Sequence, residues 1–285
     1  MLKLGYLGPA GTHSHLAAAE WSSQAHELVP FKSIPALLEA FGSHQVARVI
    51  VPLENSLEGE VIPTIDWLMK HAGTNSAQIT AELFLPVIQA LMAKPGATLE
   101  QIHRAVSHPQ ALGQCRRSIT DNHWEEEAAA STALAAKQVA EGSDLTVAAI
   151  GSSKAAEVYG LQVLEPDIGD EPNNWTRFVV LGGPAPKPSG DDKTTIFFVT
   201  NNVPGALHLA LAPFSVLGIN LTKIASRPIK TESWKYVFWV DADGDQNDAA
   251  LNVAINRLRD AFAWQVIVAG SYPKGKQPVV QTKEA

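Results

Sequence analysis

Residues 173–200 read "NNWTRFVVLGGPAPKPSGDDKTTIFFVT", and this stretch divides the chain. It begins with an amide pair, Trp175, Thr176 and Arg177 at the mouth of an apolar strand that runs to Leu181. Its middle, residues 182–192, mixes glycine, proline, serine and charge without periodicity, which is the composition of a linker. It ends in "KTTIFFVT", a strand that opens a second domain at Lys193. The expected organisation is one domain over 1–182 and another over 193–285.

C-terminal to the linker the pattern gives a helix in "PGALHLALAPFSVLG", strands in "INLTKIAS" and "WKYVFWVDAD", a helix in "DAALNVAINRLRDAF" and a strand in "WQVIVAGSY". With the opening strand this is βαββαβ, the ferredoxin-like split unit. Pro213 falls inside the first helix, where proline removes a backbone hydrogen bond. The apolar spacing continues on both sides of it, so the helix is retained.

N-terminal to the linker, apolar strands such as "LKLGYLG", "ARVIVP" and "LTVAAIG" alternate with amphipathic stretches such as "SIPALLEAFGSH" and "STALAAKQVAEG". That alternation predicts an α/β domain with a largely parallel sheet. The β-rich run "ITAELFLPVIQALMAK" has no helix of its own and suits strands that link two lobes. We expect lobe one over about 1–75 plus 160–182 and lobe two over about 76–159.

At 285 residues and 46% hydrophobic content the chain can fill two cores. No stretch has the roughly 18 uninterrupted apolar residues of a membrane span, and "MLKLGYLGPAG" has too short an apolar run for a signal peptide. The expectation is a cytoplasmic protein with no membrane partner. A net charge of −7 argues against nucleic acid, so an anionic ligand must be held by local donors. Cys115 is the only cysteine, which excludes an internal disulfide and a CxxC site and reads as packing.

Familiar motifs fail. "GYLGPAG" lacks the GxGxxG spacing, "GSYPKGK" continues into Gln277 in a terminal tail, and HExxH and GxSxG are absent. His13 and His15 are two apart, which on a helix points them to different faces. No metal site is expected.

What remains is four polar clusters where strands end or helices begin: "GPAGTHS" (8–14), "PLENSLEGE" (52–60), "SHPQALGQC" (107–115) and "NNWTRF" (173–178). In open α/β sheets ligands collect at the carboxyl ends of strands, beside helix amino termini. Thr12 or Ser14 reads as a helix cap whose neighbours also cradle an anion. Glu54, Asn55 and Ser56 follow a strand directly, while Glu58 and Glu60 read as a solvated face. Gln110 and Gln114 lie one helical turn apart, so both amides face one cleft. Trp175 and Phe178 read as core, and Arg177 as the anchor for a carboxylate, which guanidinium binds through two points.

Together "GPAGTHSHLAA", "PLENSLEGEV", "SHPQALGQC", "STALAA", "AAIGSSKAAEVYGL" and "NNWTRF" resemble the motif series of the prephenate dehydratases, and "PGALHLAL" with "INLTKIASRP" resembles the ACT regulatory domain of that family. The resemblance covers nearly the whole chain. It implies a catalytic domain of two lobes, similar to type 2 periplasmic-binding folds, with the active site between the lobes. It also implies loss of carbon dioxide and the ring hydroxyl from prephenate, giving phenylpyruvate without metal or organic cofactor, because aromatisation supplies the driving force.

By the same resemblance Thr176 donates to the leaving hydroxyl and is polarised by Asn55, Ser107 or Gln114. Thr12, Ser14, Glu54, Ser56 and Gln110 are expected against the substrate, with Thr132 from "STALAA" and with Arg177 and Phe178, Arg177 on the pyruvyl carboxylate. Gly205, Ala206, Leu207, Asn220 and Leu221, with Ser226, Arg227 and Pro228, are expected to hold the effector L-phenylalanine. Two positions depart from the family pattern: His13 stands where Phe or Tyr is usual, and Ala225 where the family has Glu before Ser-Arg-Pro, which bears on effector binding. Arogenate dehydratase and a binding protein that senses an amino acid without chemistry stay open as alternatives. ACT domains commonly pair, so a homodimer or homotetramer is expected.

Overall fold

The computed structural model describes residues 1–73, 77–228 and 236–278. The chain forms two compact units, one of Met1–Val61 with Leu83–Phe178 and the other of Ile62–Glu82 with Val179–Gln277. Among the described residues no helix is long and apolar enough to cross a membrane.

The first sheet is built from β1 (Leu2–Leu7), β2 (His26–Phe31), β3 (Arg48–Asn55), the short β4 (Gly59–Glu60) and β5 (Ile79–Pro86). The late strand β11 (Trp175–Leu181) joins them, giving the order β2-β1-β3-β11-β5 with β4 on β3. Helices α1 (His13–Ser22) and α2 (Ile34–Gly42) connect the parallel strands β1, β2 and β3. Both begin at hydroxyl caps: Thr12 accepts from His15 N–H, and Ser33 from Ala36 N–H.

The second sheet has the order β10-β6-β9-β7-β8, from β6 (Ala90–Ala93), β7 (Arg104–Ser107), β8 (Glu125–Ala128), β9 (Val147–Gly151) and β10 (Gln162–Glu165). β7 runs parallel to β8 and β9, whereas β6 pairs antiparallel with β9 and β10. The sheet is therefore mixed, not largely parallel, because the chain enters and leaves it through the antiparallel strands β6 and β10. Around it lie α4 (Pro109–Gly113), α5 (Arg116–Asp121), α6 (Thr132–Glu141) and α7 (Ser153–Tyr159). Cys115 is buried in one of its cores with Leu112, Trp124 and Ile150.

The passages between the two sheets differ from those expected near residues 76 and 160. Residue 76 lies outside the described residues, β5 finds its ladder on β11 of the first sheet, and β10 finds its ladder on β6 of the second. An extended backbone stays where its N–H and C=O groups are paired, so the crossings fall at 87–89 and after Glu165.

In the second unit β12 (Asp192–Thr200), α8 (Ala206–Val216), β13 (Leu221–Pro228), β14 (Tyr236–Asp243), α9 (Ala249–Arg257) and β15 (Ala263–Pro273) follow one another as βαββαβ. The sheet order is β13-β14-β12-β15, with every paired strand antiparallel. Trp234 and Lys235, expected at the start of β14, and residues 279–285 lie outside the described residues. Residues 182–191 form neither helix nor strand. α8 continues through Pro213, which is itself buried, and the helices pack Ala210, Phe214, Leu251 and Ile255 against Ile196 and Phe198. Helix α3 (Ile62–His71) belongs to this unit and sets Asp66 2.9 Å from the Arg227 guanidinium. The two meet as charges rather than through a directed hydrogen bond.

Candidate active site

The first unit contains a cleft of about 1070 Å³, and all four polar clusters contribute to its walls. Thr12, His13 and Ser14 come from the start of α1, Asn55 from the end of β3, Gln110 and Gln114 from α4 and its cap, and Thr176 and Phe178 from β11. Ser131 and Thr132 add the start of α6. Most stand where a strand ends or a helix begins, places at which unpaired backbone and polar side chains face open space, whereas Gln114 caps the end of α4 and Thr176 and Phe178 lie in the first half of β11.

Asn55 organises one wall. Its Oδ1 accepts from Leu57 N–H and Glu58 N–H at 2.9 Å each, which fixes the amide so that Nδ2 points toward β11. From there Nδ2 reaches Asn174 Oδ1 at 2.7 Å and Thr176 Oγ1 at 3.0 Å. The Thr176 oxygen is thus an acceptor within the protein, and its own O–H is left to donate. Thr176 is 9% exposed, in surroundings where a donated hydrogen bond is stronger than in water.

Ser56, expected against the substrate, staples the loop instead: Oγ donates to Asn173 O at 2.9 Å and accepts from Trp175 N–H at 2.9 Å. Ser56 does not line the cleft.

Arg177 is a correction. Side chains alternate along a strand, so Thr176 and Phe178 share the cleft face while Arg177 points the other way. It is 2% exposed and its Nη1 lies 3.3 Å from Glu54 Oε1. Neither Arg177 nor Glu54 lines the cleft, so the expected carboxylate anchor and its acidic neighbour form an ion pair behind the wall. Ser107 is a second correction. It is fully buried and its Oγ donates to Ile150 O at 2.6 Å, tying β7 to β9 away from the cleft.

Thr12 lines the cleft but its hydroxyl is already engaged, with Oγ1 near Leu7 O at 3.0 Å and Pro9 O at 3.1 Å while it caps α1. His13 Nε2 lies 3.1 Å from Ile88 O. Burial holds its imidazole below the ordinary histidine range, and the bond to Ile88 O opposes that only in part. His13 is therefore a neutral ring at neutral pH, donating through Nε2. Cys115, one residue beyond Gln114, is pushed up to about 12 by burial and then by Asp170 and Asp167, so it stays a packed thiol.

Glu58 and Glu60, expected on a solvated face, line the cleft as well, and Gln89, Ser131 and Lys32 are among the lining residues that the sequence did not single out. Gln89 lies on the crossing segment and donates through Nε2 to Gln114 Oε1 at 2.9 Å. Its signal was a lone amide inside the apolar run "VIQALMA". Ser131, the cap of α6, left only a weak one. Lys32, exposed beside Phe31, was invisible because nothing in sequence marks a surface lysine as facing a cleft. Among the described residues no group of three His, Cys, Asp or Glu side chains is placed to hold a metal ion.

In the second unit Gly205 starts α8 with φ of 81°, a left-handed conformation that favours glycine. Asn220 Nδ2 donates to Asp243 Oδ2 at 2.9 Å, and Leu207 and Leu221 pack against the same core. Ala206 N–H donates to Val203 O at 3.2 Å. Along β13 Ser226 and Pro228 are exposed while Arg227 is half-buried against Asp66. Strand alternation therefore separates the three residues expected to act together.

Residues 4–186 match the prephenate dehydratase family. The chain belongs to that family. It is 37% identical over 288 residues to the prephenate dehydratase of Mycolicibacterium gilvum, covering 96% of this chain and 91% of that one. A solved prephenate dehydratase from Arthrobacter aurescens, in complex with L-Phe, shares 32% identity at a TM-score of 0.85, covering 99% of this chain and 93% of that one. A structure described as GqqA, a novel type of quorum quenching acylase, shares 29% identity at a TM-score of 0.85, covering 95% and 97%. The chain is thus an enzyme of the prephenate dehydratase type, with an α/β fold of mixed sheets.

Proposed function

We propose that the cleft of the first unit converts prephenate to phenylpyruvate with Thr176 as the donor to the leaving hydroxyl. The observation that carries this reading is the Asn55 Nδ2 to Thr176 Oγ1 contact of 3.0 Å, which turns the threonine hydrogen outward. In the reaction the bond between ring and carboxylate breaks and its electron pair enters the ring. The carbon–oxygen bond then breaks, and the hydroxyl leaves as water with one added proton. Aromatisation drives the change, so the protein must position, exclude water and supply that hydrogen. Threonine is a weak acid, and the amide N–H on its oxygen strengthens it as a donor. Its proton is replenished from water.

A cation on the departing carboxylate would hold back decarboxylation. The pairing of Arg177 with Glu54 away from the cleft suits that requirement. The pyruvyl carboxylate then takes Lys32, which lines the cleft, together with the N–H groups that open α1 and α6. Ser14, Thr132 and Gln110 complete the polar lining.

The βαββαβ segment is read as an ACT domain that binds L-phenylalanine and changes turnover in the cleft. Support comes from its element order, from Gly205 at the uncapped start of α8 and from the L-Phe held by the Arthrobacter aurescens relative. Ala225 in place of an acidic residue lowers the expected affinity. Exposed Leu209 and Val216 on α8 and Ile224 on the edge strand β13 suit pairing of two copies, as a homodimer or within a homotetramer.

The decisive experiment incubates purified protein separately with prephenate and with arogenate and follows phenylpyruvate and phenylalanine. We expect phenylpyruvate from prephenate; turnover of arogenate alone would replace the substrate. Calorimetry with L-phenylalanine tests the regulatory reading. If the effector weakens prephenate binding, prephenate must weaken effector binding by the same factor, typically about 1–3 kcal/mol.

A further inference from the structure

Gln89 stands on a backbone fixed at three successive residues. Val87 N–H donates to Asn174 O at 2.8 Å, Ile88 O receives His13 Nε2 at 3.1 Å, and Gln89 O accepts from Ile168 N–H at 2.8 Å. Its side chain is 4% exposed, lines the cleft, and donates through Nε2 to Gln114 Oε1 at 2.9 Å. The remaining atom, Oε1, is buried without a hydrogen-bond partner. Leaving such an acceptor unpaired costs about 1–3 kcal/mol. Turning both amides over together keeps the bond between them and exchanges which residue offers the oxygen. Either arrangement leaves one oxygen of the pair without a protein partner, on a residue that lines the cleft.

The acceptor limits what it can meet. A prephenate dianion has two carboxylates and a ketone, which only accept, and one ring hydroxyl, which carries the sole O–H hydrogen of the molecule. That hydroxyl is also the group that leaves. Resting on the reaction proposed above, we infer that the Gln89–Gln114 amide pair accepts the hydrogen of the leaving hydroxyl and so turns an oxygen lone pair toward Thr176. When the carbon–oxygen bond breaks, the hydroxyl keeps that hydrogen, gains the one donated at Thr176, and departs as water. Thr176 then regains its proton from water, so each turnover consumes one solvent proton. Gln89 is thereby a substrate-binding residue that distinguishes substrate from product, since phenylpyruvate has no ring hydroxyl.

The test compares Gln89→Met, which keeps the side-chain volume and removes the amide, with the wild-type protein. Two readouts are taken: kcat/KM for prephenate and the inhibition constant of phenylpyruvate. We expect kcat/KM to fall about 10- to 100-fold, the loss of a buried hydrogen bond with its partner left unpaired, while phenylpyruvate binds as before. Equal weakening of both ligands would make Gln89 a structural support of the cleft and overturn the inference, as would no change in either. Should Gln89→Met fail to fold, Gln114→Met asks the same question from the other half of the pair. Absent turnover by the wild-type protein would instead remove the reaction on which the inference rests.

Discussion

Asn55 Nδ2 lies 3.0 Å from Thr176 Oγ1, and two backbone N–H groups on Asn55 Oδ1 fix which end of the amide faces the threonine. The arrangement makes the Thr176 oxygen an acceptor and frees its hydrogen. Thr176→Ala should lower kcat by about 10²- to 10⁴-fold with the fold retained, and Thr176→Ser should keep much of the activity. Asn55→Asp replaces the donor by an acceptor that captures the threonine hydrogen, so steady-state kinetics should show a loss comparable to that of Thr176→Ala. Wild-type rates in Thr176→Ala would make the hydroxyl merely structural.

Arg177 and Lys32 should separate stability from binding. Arg177→Met leaves Glu54 without its guanidinium partner and should destabilise the protein by about 3 kcal/mol, visible in denaturant unfolding. Lys32→Ala should leave the melting temperature in place and raise KM for prephenate. A large KM effect of Arg177→Met at unchanged stability would return Arg177 to the substrate.

Ser107→Ala removes the hydroxyl that donates to Ile150 O at 2.6 Å. It should cost about 1–3 kcal/mol of stability while kcat stays near the wild-type value. A collapse of kcat without loss of stability would contradict the burial of Ser107.

His13 couples stability to pH. Its folded pKa is lowered by burial relative to 6.5, so the unfolded chain binds its proton at a higher pH than the folded one. Stability therefore rises with pH through the window below 6.5 and is lost as pH falls through it. In unfolding experiments at pH 5.5 and 7.5, His13→Gln should show a smaller difference between the two than the wild-type protein. An identical difference would mean that His13 titrates as freely as in the unfolded chain.

By itself the sequence determined the alternation of strands and helices, the structureless stretch after Leu181, the βαββαβ order and the four polar clusters that meet in the cleft. These follow from periodicity and from turn and cap chemistry, which are local and therefore written in order along the chain. Tertiary structure decided what each polar residue does. Thr176 and Arg177 are neighbours in sequence, but a strand sends them to opposite faces, one to the cleft and one to Glu54. Ser107 sits in a motif rich in site residues, yet its hydroxyl is consumed by β9, which begins some 40 residues later. Gln89 is the reverse case, a single amide in an apolar run whose partner Gln114 is found only when the crossing segment packs beside the end of α4. The passages between the sheets were set the same way, because a strand ends where its hydrogen-bond partner ends, and the partners β11 and β6 are distant in sequence. Pairing across the fold, which no local pattern encodes, assigned the roles.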